Sequence, residues 1–396
     1  MNAATVSTIT RCLLHGALAL GLSSAAADSV TLTELPAPEG YAVAGVANIA
    51  ADGTVIGVAY PDGLVVRWRP GASPEVLGGG MTFTLDNITP LISKDGAVIA
   101  TTGYFDDGGE ALVAAPERWI GATDWSRITG TTLGNASVFG LSSDGNVLTG
   151  SAEPAVPPPE GPWPQLPWSW TAIAGQVELA LPADAFSGQA WAASNDGHVV
   201  AGFGEPAPDD FTRYGLRWDD GTPSWITDAN GQRVGQAIGC NSDCSVIVGA
   251  GVDGGLGDPR AWRWRAGEGL HYLDLPEGAQ ADAVTYAFES SEDGNVVVGS
   301  YVVFDPTLGP TNHGFYWNAD GGMRDITLYL ADYGITFGAA DWVDLLVNGV
   351  TPDGRTLLLN GLDAGYQRRR AVVQIVRDDW IFADGFEGIG PLRPAR

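Results

Sequence analysis

Two adjacent carboxylate pairs, Asp106-Asp107 and Asp209-Asp210, are the side chains whose type and spacing could do chemistry. Paired acids can serve hydrolysis as general acid and base, or hold calcium. Adjacency in sequence does not set the carboxylate separation that glycoside hydrolysis needs, and most acids in loops are solvated. Other candidates are sparse. His198, His271 and His313 stand singly, and Lys94 is the only lysine. Cys240 and Cys244 are close in sequence, whereas Cys12 is remote from both. No G-x-S-x-G elbow, H-E-x-x-H helix or phosphate-binding G-x-x-x-x-G-K occurs. The sialidase hairpin S-x-D-x-G-x-T-W also fails, because here Gly follows Asp directly. No residue is therefore assigned to catalysis, to metal or to a cofactor.

What must position any such groups is a repeat. Asp52-Gly53, Asp95-Gly96, Asp144-Gly145, Asp196-Gly197, Asp243-Cys244, Asp293-Gly294 and Asp353-Gly354 each lie between two short apolar runs. Their spacings are 43, 49, 52, 47, 50 and 60 residues. Asp-Gly between apolar runs signals a hairpin whose two turn residues both take φ > 0. About twenty residues on, a third strand carries Trp68, Trp119, Trp170, Trp218, Trp264 or Trp317, with no Trp in the seventh unit. A fourth short strand follows. Four antiparallel strands per unit of this length make the blade of a β-propeller. The expected fold is all-β: seven four-stranded blades over residues 28–376. The Trp series reads as packing between blades, with a carbohydrate platform as the alternative.

The ends suggest how the ring closes. Residues 29–36 resemble the fourth strand of unit five at 271–276, yet precede the first complete unit. Unit seven shows only three strands. The N-terminal segment is therefore expected to supply the outer strand of blade seven, which removes the exposed sheet edges.

Composition bounds the partners. The 396 residues carry a net charge of −27, which disfavours nucleic acid and anionic lipid. The charge reads as solubility, with divalent cations or a basic partner as alternatives. An apolar stretch from Cys12 to Leu22 leads to Ala25-Ala26-Ala27 before Asp28, the pattern of a secretory signal cleaved between Ala27 and Asp28. It is too short to span a bilayer, and no later run is long enough. Export favours a structural disulfide between Cys240 and Cys244, with a redox pair or a metal site as alternatives. Cys244 replaces the turn glycine, so a bridge would brace that turn. Asn87 and Asn135 begin glycosylation sequons.

Unit six reads Ser291-Glu292-Asp293-Gly294-Asn295-Val296-Val297-Val298-Gly299-Ser300, then His313-Gly314-Phe315-Tyr316-Trp317. This pattern resembles the HAF family of extracellular repeat proteins over about residues 30–375. The resemblance implies an exported bacterial propeller-like repeat protein and carries over no catalytic residues. The His of the family pattern survives only at His313. The segment Phe382-Ala383-Asp384-Gly385-Phe386-Glu387 is similar to a terminal motif of exported proteins in some Gram-negative bacteria, within a flexible tail at 377–396.

The reading is a secreted, monomeric, non-enzymatic binding or surface module. Its unknown protein or carbohydrate ligand would meet the long loops opposite the Asp-Gly turns. These loops lie near 104–107, 153–163, 205–214, 252–260 and 301–312. The alternative is a propeller hydrolase or lyase acting on polysaccharide through loop carboxylates, and calcium-assisted structure is a third reading.

Overall fold

The computed structural model describes residues 29–376, apart from 80–89, 107, 109–111, 122–123, 129–133, 157–160, 209, 253–257, 306–308 and 339–340. The signal segment with Ala27 and Asp28, the sequon at Asn87, the C-terminal tail, and Asp107 and Asp209 lie outside the described residues.

Seven four-stranded antiparallel sheets form the blades of the propeller. Blades 1 to 6 take residues 42–78, 91–127, 136–178, 187–225, 237–272 and 285–325 in turn. Blade 7 takes three strands from 344–376, and its outer strand is β1 (Ser29–Glu34), which pairs with Arg368–Val376. The N-terminal strand thus closes the ring as the repeat phase requires. Beyond β1, Leu35 N–H donates to Arg370 O at 3.1 Å, Glu34 pairs with Arg369, and Leu35 packs into the blade 1 core. The short helix Ile326–Ala331, which the pattern does not announce, follows blade 6 and is capped by Asp325.

The hairpins differ from the expected two-residue turn. In each, the second residue has φ > 0, from 51° at Cys244 to 83° at Gly53, and no turn Asp does. Gly96 N–H donates to Ser93 O at 2.9 Å, and the other six turns share this bond. The turn is therefore a four-residue β-turn with Asp third and a left-handed residue last; its first residue is Ser in four of the seven turns and Ala50, Asn241 or Thr351 in the others, and only the last position needs glycine. The Asp works inside the turn. Ser93 Oγ donates to Asp95 Oδ1 at 2.5 Å, Ala97 N–H donates to the same oxygen at 3.0 Å, and Val98 N–H donates to Ser93 Oγ at 3.0 Å. The set recurs around Asp144, Asp196, Asp293 and Asp353. Hydrogen bonds led by Ser194 and Ser245 hold Asp196 and Asp243 below the ordinary carboxylate range. These acids are turn formers.

Cys244 is the exception at φ 51°, and it is bonded to Cys240 with their Cα atoms 4.9 Å apart. A side chain in left-handed backbone costs about 1–2 kcal/mol, which the bridge offsets by restricting the unfolded chain by about 2 kcal/mol for so short a loop. Cys240→Ser should therefore lower stability in urea unfolding by about 2 kcal/mol. Cys240→Ser with Cys244→Gly should regain about half of it. A double variant no more stable than the single one would show that Cys244 carries no backbone strain.

Consecutive residues of a strand point to opposite faces, so the dipeptide Arg-Trp on the third strand serves two interfaces at once. Arg67 of blade 1 lies over Trp119 of blade 2 at 4.9 Å, and Arg118 over Trp170 of blade 3 at 5.4 Å. Arg217 covers Trp264 at 4.7 Å, and Arg263 covers Trp317 at 5.0 Å. Arg118 and Arg263 also donate to the turn carbonyls of Gly145 and Gly294 in the next blade, at 2.6 and 2.7 Å. Desolvation lowers both of these guanidinium pKa values from the ordinary value. The Trp series thus packs between blades, as its periodicity predicts. The core clusters mix neighbours in the same way: Trp119 with Ile56 and Val65 of blade 1, and Trp218 with Val147 of blade 3.

The turns are also stitched to one another. The residue just before the turn Asp donates its N–H to the next turn: Ala51 to Lys94 O, Lys94 to Ser143 O, Asn195 to Ser242 O and Glu292 to Pro352 O, all within 2.7–2.8 Å. Two joints use side chains, Asp144 N–H to Asn195 Oδ1 at 3.0 Å and Ser242 N–H to Glu292 Oε2 at 3.2 Å. The seventh turn has Pro352 at this position and no N–H to give to blade 1. Lys94 serves that joint instead. Its Nζ donates to Ile49 O of blade 1 at 3.2 Å and to Val350 O of blade 7 at 3.4 Å, and pairs with Glu289 of blade 6. Glu289 in turn accepts Val350 N–H at 3.0 Å. The single lysine of the chain is a clasp at the seam.

Candidate functional site: an axial cavity

A cavity of about 300 Å³ lies where the innermost strands face one another. Its walls come from a feature that the repeat pattern hides. The pairing of the two inner strands slips by one residue within six of the seven blades, at 46/48, 138/140, 190/192, 237/239, 287/289 and 347/349, and blade 1 has a second slip at 43/45. A bulge leaves one residue unpaired and re-aims its side chain. Six of the seven slips release Ala47, Phe139, Trp191, Ile238, Phe288 and Asn348, and these six line the cavity.

The lining is two-sided. Blades 3 to 6 contribute Phe139, Trp191, Ile238 and Phe288, with Tyr286 beside them. Phe139 stacks on Trp191 with ring centres 5.7 Å apart, and Phe203 braces Trp191 edge-on at 5.8 Å. Blades 7 and 1 contribute Asn348, Asn48 and Ala47. Asn348 Nδ2 donates to Val46 O at 3.3 Å, and Asn48 Oδ1 accepts Ile92 N–H at 3.4 Å. Gln236 also lines the cavity, and its buried Oε1 has no partner among the described residues. The charges at the wall are matched: Lys94 with Glu289, and Arg213 with Glu205 at 3.5 Å. The inner strands approach closely here. A Cβ on Gly140 would come within 2.3 Å of the Trp191 carbonyl, so only glycine fits.

The sequence-singled residues fall elsewhere. Among the described residues of the long loops, only Arg213 reaches the cavity. Asp106 accepts Gly108 N–H at 2.8 Å and Asp210 accepts Thr212 N–H at 2.9 Å, both closing local turns. Asn135, the second sequon, uses its amide between Ala114 N–H at 3.1 Å and Glu153 at 2.9 Å. His198 pairs with Asp220 on the surface, and His271 is exposed on the outer strand of blade 5. Cys240 lies at the cavity wall beside its disulfide. Among the described residues no three His, Cys, Asp or Glu side chains gather as a metal site. No helix among them is long and apolar enough to cross a membrane. Sequence reasoning missed the bulge residues. The signal was a small residue after an aromatic, as in Phe139-Gly140 and Trp191-Ala192, but no fixed residue type marks the position.

His313 joins a second group in blade 6. Tyr301 OH donates to Asp325 Oδ2 at 2.8 Å, and His313 Nδ1 lies 3.6 Å from the same oxygen. Thr327 N–H and Leu328 N–H donate to Oδ1 at 2.8 and 3.2 Å. Burial alone would raise this carboxyl, but the contacts from His313, Thr327, Tyr301 and Leu328 outweigh it and hold Asp325 at about 2. Burial, with the Asp325 charge second, pushes the Tyr301 phenol up. A depressed folded-state pKa stabilises the fold above the unfolded carboxyl value and loses that support as pH falls through the folded value. Acid titration of the native protein should therefore cost about 2 kcal/mol between about pH 4 and pH 2 through this one group. Asp325→Asn should flatten that part of the stability–pH curve, and an unchanged curve would show that Asp325 is not the titrating group.

No protein-family model and no curated protein sequence matches the chain. Solved structures resemble it in fold. The β-propeller domain of the Trilobed protease from Pyrococcus furiosus matches at a TM-score of 0.52 and 12% identity, covering 84% of this chain and 95% of that one. It is described as having an open velcro topology, whereas here β1 closes the ring. A catalytically inactive virginiamycin B lyase from Staphylococcus aureus matches at 0.48 and 11% identity, covering 88% and 100%. A putative TolB from Agrobacterium tumefaciens matches at 0.39 and 15%, covering 89% and 100%. These likenesses concern the fold alone.

Proposed function

We propose that the chain is an exported propeller of the HAF type that binds a small molecule in its axial cavity. The observation that carries this reading is that six of the seven inner-strand slips release a cavity-lining residue. Bulges are over-represented at sheet edges, at barrel rims and next to active sites, where they re-aim a side chain. A concave cavity of this size, mostly apolar with a few placed polar groups, is what small-molecule sites look like. The signal-like residues 1–27 support export.

The acids favour binding over turnover. A two-carboxylate hydrolysis needs a pair of acids flanking one bond. Glu289 is the one carboxylate among the described lining residues, and Lys94 holds it. The test is ligand-observed NMR with a mixed panel of saccharides, planar aromatics and small acids, on the full chain and on Trp191→Ala. Binding that drops at least tenfold in the variant is expected. A panel whose binders are indifferent to Trp191 and Phe288 substitutions would sink the axial site.

A further inference from the structure

We infer that the axial cavity takes the neutral pyranose end of a saccharide, an inference that rests on the binding reading above. The argument comes from the chemistry of the two walls. Phe139, Trp191 and Phe288 bring aromatic rings to the lining from three blades. A pyranose presents a flat patch of C–H groups that packs on the faces of such rings, and an aromatic surface is the apolar partner a polar ring can still use. The opposing wall carries carboxamides, Asn48 and Asn348, with Gln236 also at the lining. A carboxamide has two donor hydrogens and an accepting oxygen, so it matches a hydroxyl, which also gives and takes one hydrogen bond.

One observation points to hydroxyls rather than to a dry aromatic guest. Asn48 uses its oxygen on Ile92, which leaves its NH₂ to donate to a guest oxygen. The guest is neutral because the wall charges already cancel: an anion would have to compete with Glu289 for Lys94 or with Glu205 for Arg213. A volume near 300 Å³ sits at the low end for ligand sites, which fits one terminal ring or two and not an extended chain in a groove.

The experiment titrates the full chain with three probe sets: glucose, galactose, mannose, N-acetylglucosamine and their 1,4-linked disaccharides; indole and p-nitrophenol; and glucuronate. Saturation-transfer NMR reports binding to the wild type, Trp191→Ala, Phe288→Leu and Asn48→Leu, each first shown by its melt to be folded. The expected result is that a neutral saccharide binds, weakens at least tenfold in Trp191→Ala or Phe288→Leu, and weakens about fivefold or more in Asn48→Leu. Trp191-dependent binding of indole, p-nitrophenol or glucuronate with no neutral saccharide would overturn the saccharide class and leave the axial site standing. Saccharide binding untouched by all three substitutions would overturn this inference and place the sugar elsewhere. No Trp191-dependent binding by any probe would count against both readings.

Discussion

Removing residues 29–36 lowers the melting temperature by about 10–20 °C. The deletion strips the outer edge of blade 7, exposing the unpaired edge of Arg368–Val376. It removes the half-buried Leu35 from the edge of the blade 1 core, a part of the about 1.5–3 kcal/mol that full burial gives, and several backbone hydrogen bonds at about 0.5–1.5 kcal/mol each. It also takes Pro36 O from the Trp68 indole N–H, which it accepts at 2.7 Å. Together these reach on the order of 5 kcal/mol, and each kcal/mol is worth roughly 2–4 °C in a larger domain. Differential scanning calorimetry reads the effect. A melt within about 2 °C of the full chain would mean that β1 does not close the ring.

Lys94→Met destabilises the protein by about 3 kcal/mol, although it removes only one exposed-type residue from the sequence. The two side chains of the Lys94–Glu289 pair are 19% and 15% exposed. Breaking a buried pair by removing one partner costs about 3–5 kcal/mol, because the other charge is left uncompensated, and the residual water contact here places the effect at the low end. The loss is compounded because Lys94 also serves the Ile49 and Val350 carbonyls at the one joint where Pro352 has no N–H. Lys94→Met combined with Glu289→Gln should recover more than half of the loss, since a neutral amide tolerates an apolar neighbour far better than a carboxylate does. Urea unfolding of the two variants decides it. A single variant as stable as the wild type would show that the seam does not depend on the pair.

These two expectations show how unevenly the sequence discloses the molecule. Blade count, hairpin positions and ring closure were legible because each follows from a short local pattern: Asp-Gly between two short apolar runs, a Trp at fixed strand phase, and a surplus strand at the N-terminus. The turn itself was misread in one respect. Asp95 and its equivalents looked able to take φ > 0, but the bond from Gly96 N–H to Ser93 O needs only the glycine there. The use of Arg67, Arg118, Arg217 and Arg263 was written beside each Trp, yet their partners are the Trp residues of the next blade, about fifty residues away. Nothing local states such a contact.

The cavity was the least legible part. A bulge adds one residue to a strand without demanding any type, so Phe139, Ile238 and Asn348 share a position and no chemistry. The long loops drew attention instead because they are irregular and acidic, while Asp106 and Asp210 turn out to close their own local turns. The disulfide at Cys240 and Cys244 was legible for the opposite reason: a missing turn glycine and a nearby second cysteine are both local facts.

The central claim is that function resides on the propeller axis, and locating a bound guest tests it most directly. A crystal structure of the full chain soaked with the strongest binder from the NMR panel should show density between Phe139 and Trp191 on one side and Asn48 and Asn348 on the other. Density confined to the outer blades, the long loops or the His313–Asp325 group, with the axis empty, would contradict it.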